Sequence, residues 1–185
     1  MIELQIHMPP LPPLPMLGKD YENQNCSLAR VLEVVGERWT LLIVRDAFYG
    51  VRRFGEFETH LDIPKAVLSD RLAGLVEDGI LAREPDPDHR GRHLYELTAA
   101  GRDLWPAVHA LLAWGDRHRG PNSRRYRHGP CGTELDANGH CPTCNVTPPP
   151  EDVTMEPRRT RGPRREDRVS VALRKPRPLL TPLGD

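Results

Sequence analysis

IPKAVLSDRLAGLVEDGILARE, residues 63–84, is the stretch on which the fold turns. Pro64 suits a first helical turn. Leu68, Leu72, Leu75 and Val76 then recur on one face at helical spacing, and Gly79 closes the helix. A strand over Ile80–Glu84 follows at once. The polar tip PDPDHRGR (85–92) turns the chain back into a second strand, His93–Leu97. Upstream, Phe54, Phe57 and Leu61 mark a short helix that stops at the break Asp62, Ile63, Pro64. Before it, Thr40–Tyr49 carries Leu41, Leu42, Ile43 and Val44, a run suited to deep burial. Earlier still, Leu28, Val31, Leu32 and Val35 lie at i, i+3, i+4 and i+7. Downstream, Thr98 caps a last helix over about 99–118, with Leu104, Val108, Leu111 and Leu112 on its apolar side and a kink at Pro106. Helices followed by a helix–turn–helix, a hairpin and a long helix predict a mainly α winged helix–turn–helix over 18–121, with one small β-hairpin.

The chain has 185 residues, 38% hydrophobic and 28% charged, enough for one ordinary domain with appendages. No run approaches the ~20 apolar residues of a membrane span. No basic residue precedes the apolar start, so a signal peptide is not expected. A cytoplasmic, nucleoid-associated protein with no membrane partner is the expectation. Aromatic residues, 5% of the chain, leave little surface for stacking single-stranded bases. The formal charge of zero conceals a gradient: residues 18–121 carry 14 basic and 17 acidic groups, residues 122–185 carry 12 and 8. Proline marks the borders. Residues 1–17, with five prolines, read as a stiff extension (Pro9–Pro15). Residues 148–185 read as a Pro/Arg-rich tail, mostly disordered, in which Val169–Leu173 offers one strand.

In a helix–turn–helix the second helix enters the major groove. With Leu68, Leu72 and Leu75 inward, Ala66, Ser69, Asp70 and Ala73 project outward, small enough to approach the groove floor. Lys65 and Ser69 reach a phosphate or a base, and Arg71 lies on the flank where phosphate is the more natural partner. Asp70 repels phosphate unless it accepts from cytosine or pairs with Arg71. On the wing, His89, Arg90, Arg92 and His93 reach the minor groove or backbone, opposed by Asp86 and Asp88. Trp105, Trp114, Leu111 and Leu112 exceed what so small a domain needs, which makes the first and last helices the expected dimer surface, with burial of all of them in the core as the alternative; Trp39 is assigned to the core.

Residues 26–118 resemble the HxlR-type (MarR-like) transcriptional regulators. The resemblance rests on Cys26, GERWTLLIVRDAFYGVRRFGEF (36–57), residues 63–84, YELTAAGRDL (95–104) and Ala113, Trp114, Gly115. It implies a homodimer on a two-fold-symmetric, inverted-repeat operator in double-stranded DNA, acting as a repressor or sometimes an activator, with an inducer the sequence does not name. It also implies that a cysteine at the place of Cys26 can sense electrophiles or oxidants. A helix N-terminus favours the thiolate there, and Arg30 adds positive charge; a plain buried or capping residue is the alternative.

The other three cysteines and a histidine form two knuckles, His128/Cys131 and Cys141/Cys144, nine residues apart. One His and three Cys satisfy tetrahedral zinc with no position open for water, so residues 122–147 read as a zinc-ribbon-like segment holding one structural Zn2+. His140 competes as a ligand but adjoins Cys141. A redox-active Cys141/Cys144 pair and free thiols are the rivals. No arrangement points to catalysis. Two other functions stay open: a protein-interaction module without specific DNA binding, and a zinc-responsive regulator.

Overall fold

The computed structural model describes Tyr21 and residues 23–120, 124–158 and 165–184. Pro9–Pro15 and residues 159–164 of the arginine cluster lie outside them. The first half runs α1 Ser27–Val35, α2 Thr40–Phe48, α3 Phe54–Leu61, α4 Lys65–Glu77, β1 Leu81–Pro85, β2 His93–Leu97, α5 Ala99–Arg102 and α6 Trp105–Arg119. This is a winged helix–turn–helix. The two strands pair antiparallel from Leu81 opposite Leu97 to Pro85 opposite His93, one residue later in β1 than the sequence suggests.

The apolar stripes do what their spacing requires. Leu68, Leu72 and Leu75 of α4 are buried with Ile43, Val44 and Phe48 of α2, Phe57 of α3 and Leu81 of β1. Each such side chain contributes about 1.5–3 kcal/mol. Between α3 and α4, Asp62 adopts φ 54°, a left-handed conformation that Asp tolerates better than most residues. Buried Ile63 then anchors the turn. Asp46 of α2 is fully covered, yet satisfied: Arg45 Nη2 lies 2.7 Å away and His60 Nδ1 of α3 2.6 Å away. The His60 contact ties α2 to α3.

Two sequence expectations about the end of this half need correction. The last helix is not one kinked rod. It is interrupted at Asp103 and Leu104, and Pro106 sits in the first turn of α6, where its missing N–H costs no helical hydrogen bond. The interruption turns Trp105 inward against Phe48 and Tyr126, ring centroids 5.2 Å from each, so Trp105 is core and not surface. Trp39 is half-buried against the core. Leu28, Val31 and Leu32 of α1 and Leu111 and Trp114 of α6 remain exposed, Leu28 at 64% and Trp114 at 51%.

The second half also departs from expectation. It contains β3 Arg124–His128, a 3-10 turn at Pro150–Asp152, β4 Val153–Pro157, α7 Arg168–Ala172 and β5 Arg177–Pro178, with sheet order β3-β4-β5. Residues beyond Pro148 are therefore not mostly disordered where described, and Val169–Ala172 is helical and not a strand, started by Asp167, whose carboxylate accepts from the Ser170 N–H. Composition concealed the reason. Val153 and Met155 alternate on one strand face, and they bury with Val169, Leu173, Leu179 and Leu183 in the same core as α2. The Tyr49 and Tyr126 hydroxyls meet at 2.6 Å. Leu180 N–H donates to Phe48 C=O at 2.7 Å, and Leu183 N–H to Gly50 C=O at 3.2 Å. Gly50 has φ +87°, and a Cβ there would lie 1.8 Å from Thr181 C=O, so only glycine permits this approach. No helix among the described residues is long and apolar enough to cross a membrane.

Candidate nucleic-acid interface and metal centre

The three leucines that fix α4 also decide what it displays. Ala66, Ser69, Asp70 and Ala73 are all exposed, and Lys65 stands 75% exposed at its N-terminus, 3.9 Å from Glu58. Arg71 is half-buried on the flank. Its Nη2 lies 3.2 Å from Asp70 and 4.0 Å from Glu37. Asp70 thus has the partner that relieves its charge beside a phosphate. The outward face of α4 is otherwise small and uncluttered, as a helix reading a groove requires.

The wing is built around one carboxylate. Asp86 is almost fully covered. Its Oδ2 accepts from Arg53 Nε at 3.0 Å and lies 3.2 Å from His89 Nδ1, while its Oδ1 accepts from the Asp88 N–H at 3.0 Å. The Arg53 hydrogen bond holds the Asp86 carboxyl below its usual value. Asp86 therefore shapes the tip instead of opposing DNA on its surface, as the sequence suggested. Arg90 and Arg92 project from this tip, exposed, beside Arg83 of β1. Arg53 was missed by sequence reasoning because its role depends on a partner 33 residues away. His89 is drawn into the tip by Asp86, and His93 lies 3.1 Å from Arg83.

His128, Cys131, Cys141 and Cys144 converge as their spacing predicts: all four ligand atoms lie within 4.8 Å of one another. The Cys131 and Cys141 sulfurs are 3.5 Å apart, and Cys131 Sγ is 3.4 Å from His128 Nδ1. Donor chemistry fits zinc. Hydrogen bonds from Thr133 bring the Cys131 thiol down to about 6, so one thiolate forms readily at neutral pH. Hydrogen bonding to Cys131 pushes Cys144 up to about 11. Successive negative sulfurs in so small a volume oppose one another, and a divalent cation removes that opposition. His128 and Cys141 are buried, Cys131 and Cys144 exposed. His140 is not in the cluster; its N–H donates to Asp136 Oδ1.

Cys26 is exposed at the N-cap of α1. No capping bond closes on its side chain, but the Ala29 and Leu28 amides near the sulfur lower its pKa. It stands apart from the other three thiols.

The family model described as HxlR-like helix-turn-helix matches residues 34–123. Uncharacterised HTH-type transcriptional regulators of Mycobacterium bovis (Mb3122) and Mycobacterium tuberculosis (Rv3095) are each 47% identical over 135 residues, which cover 71% of this chain and 85% of theirs. Among solved structures, PA1607, a candidate transcription factor, is 42% identical over 51% of this chain and 66% of its own, with TM-score 0.49. The redox regulator HypR in its reduced form is 31% identical over 51% of this chain and 94% of its own, with TM-score 0.47.

Proposed function

The chain belongs to the HxlR-like helix-turn-helix family of transcriptional regulators, and from that premise we propose that it is a homodimeric, sequence-specific repressor. In this reading the winged domain, 18–121, lays α4 in the major groove. Lys65, Ala66, Ser69 and Asp70 face base edges or phosphates, Arg71 takes a backbone phosphate, and Arg90 and Arg92 follow the adjacent groove from the wing. The observation that carries it is the outward face of α4, small and exposed over three buried leucines and flanked by the wing arginines. The exposed apolar stripes of α1 and α6 support a second copy as the partner, since side chains such as Trp114 and Leu28 gain by leaving water.

Two finer assignments accompany it. His128, Cys131, Cys141 and Cys144 hold one structural zinc ion, which supplies charge neutralisation and a crosslink to the 122–147 segment. Cys26, with its lowered pKa and exposure, makes the regulator responsive to electrophiles or oxidants. The test incubates the purified zinc-containing protein with fragmented DNA of its own source genome at about 0.15 M salt and sequences what is retained. Enrichment of a few fragments sharing an inverted repeat is expected. Uniform or absent retention from folded, metallated protein would overturn the reading in favour of an interaction module. With an enriched fragment as probe, Cys26→Ser is expected to abolish release by diamide; unchanged release removes the sensor assignment.

A further inference from the structure

The helix–turn–helix match ends at residue 123, but a cleft beside the wing is not built from that region alone. A cleft of about 570 Å³ opens between the start of α3, the wing and α7. Its walls carry Arg53, Arg92 and His93 from the winged domain and Arg168 from α7, the first residue of a helix far outside the matched region. Gly55 and Gly91 line it as well, and a Cβ at either would meet nothing within 4 Å, so the cleft is open on both sides. α7 packs against α3, and Arg165 helps hold it there by donating to Thr59 C=O at 2.7 Å.

One acidic group, Glu56, also lines this cleft, and its carboxylate is already engaged by neighbouring donors. Its Oε2 accepts from the N–H of Arg53 at 3.2 Å and of Arg52 at 3.4 Å. Its buried Oε1 makes no hydrogen bond and lies 3.8 Å from Arg168 Nε. A second contact, from Arg168 Nη2 to Gly184 C=O, uses a neutral acceptor. Arg168 is therefore held in a fixed place at 46% side-chain exposure, with Arg92 exposed nearby. Arg53 is the most committed of the three, bound to Asp86 and 3.8 Å from Asp88.

We propose that Arg168, together with Arg92 and the Arg53 edge of α3, forms a clamp for a backbone phosphate of double-stranded DNA. The C-terminal half thereby adds a sequence-independent contact to the winged helix. A concave site lined by three arginines suits a phosphate. Its position between the wing and the start of α3 puts that phosphate beside the wing. The inference rests on the DNA-binding reading above and deepens it.

The test follows the full zinc-containing chain binding a labelled random-sequence duplex of about 30 base pairs by fluorescence anisotropy, from about 50 to 200 mM salt. Wild type, Arg168→Gln and Arg168→Lys are compared, with thermal melts reporting folding. Arg168→Gln is expected to flatten the slope of log affinity against log salt by about 0.9, one phosphate's worth of released counterion, while Arg168→Lys keeps the slope. Should Arg168→Gln melt early, duplex protection of Arg168 from dicarbonyl modification in the wild type, read by mass spectrometry, gives the same answer. An unchanged slope in folded Arg168→Gln, or no protection, overturns the clamp alone. Failure of the wild type to bind any duplex overturns the DNA reading and the clamp with it.

Discussion

The winged domain and the C-terminal half solve the same problem by different means. Residues 27–119 bury leucines and aromatics at helical spacing, so most of their contacts are legible within one element and its neighbour. Residues 124–184 have one five-residue helix and three short strands among the described residues, too little to enclose a core. Their buried side chains, Tyr126, Met155, Val169 and Leu179 among them, face the winged domain. What fixes them is a hydroxyl pair at Tyr49, a strap hydrogen-bonded to Phe48 and Gly50, and the four-ligand cluster. The lesson is that a short, proline-rich segment can be ordered by borrowing a neighbour's core, provided a few strong local ties hold its path.

Breaking those ties should separate the two halves, in decreasing order. Cys141→Ser removes a fully buried member of the proposed zinc site and is expected to reduce bound zinc well below one per chain and destabilise the protein by about 4 kcal/mol or more, measured by metal analysis and urea unfolding. Gly50→Ala collides with Thr181 and forces a strained φ. A loss of about 2–4 kcal/mol is expected, with trypsin cutting at Arg174 and Arg168 before it cuts in α4. Tyr126→Phe deletes one hydroxyl of the buried pair and strands the other, costing about 1–3 kcal/mol in the same unfolding assay.

The smallest effect concerns pH. His109 of α6 packs edge-on against Trp105 and Tyr126, and burial holds its pKa below the ordinary value, against the opposing pull of Asp136 and Asp116. As pH falls the unfolded chain therefore takes up this proton first. The contribution is complete above an unfolded value of about 6.5 and declines as pH drops from there through the lower folded value. Thermal melts between about pH 7.5 and 5.5 should show a smaller acid-induced decrease for His109→Phe than for wild type. Equal decreases would remove His109 from the seam between the halves.

What was readable in the sequence follows the same division. The period of Leu68, Leu72 and Leu75 is local, so the exposure of Ala66, Ser69, Asp70 and Ala73 could be read with it. The knuckle spacing of His128/Cys131 and Cys141/Cys144 is local too, and the four ligand atoms do meet. Asp86 was misread because its charge suggests solvent, whereas its burial depends on Arg53 arriving from α3. Trp105 was misplaced because the break before α6 starts a new helix whose facing the earlier periodicity does not register. The tail was misjudged because composition counts prolines and charges, while its order comes from Val153, Met155 and Leu179 meeting a surface built more than a hundred residues earlier.

The most direct test is hydrogen exchange by mass spectrometry on the full chain, with zinc bound and after removal by chelator. The account predicts that metal removal strips protection from residues 124–157 and from the strap at 179–183, while α4 and the β1–β2 hairpin keep theirs. Unchanged protection across 124–157 would contradict it, as would an equal loss through α4.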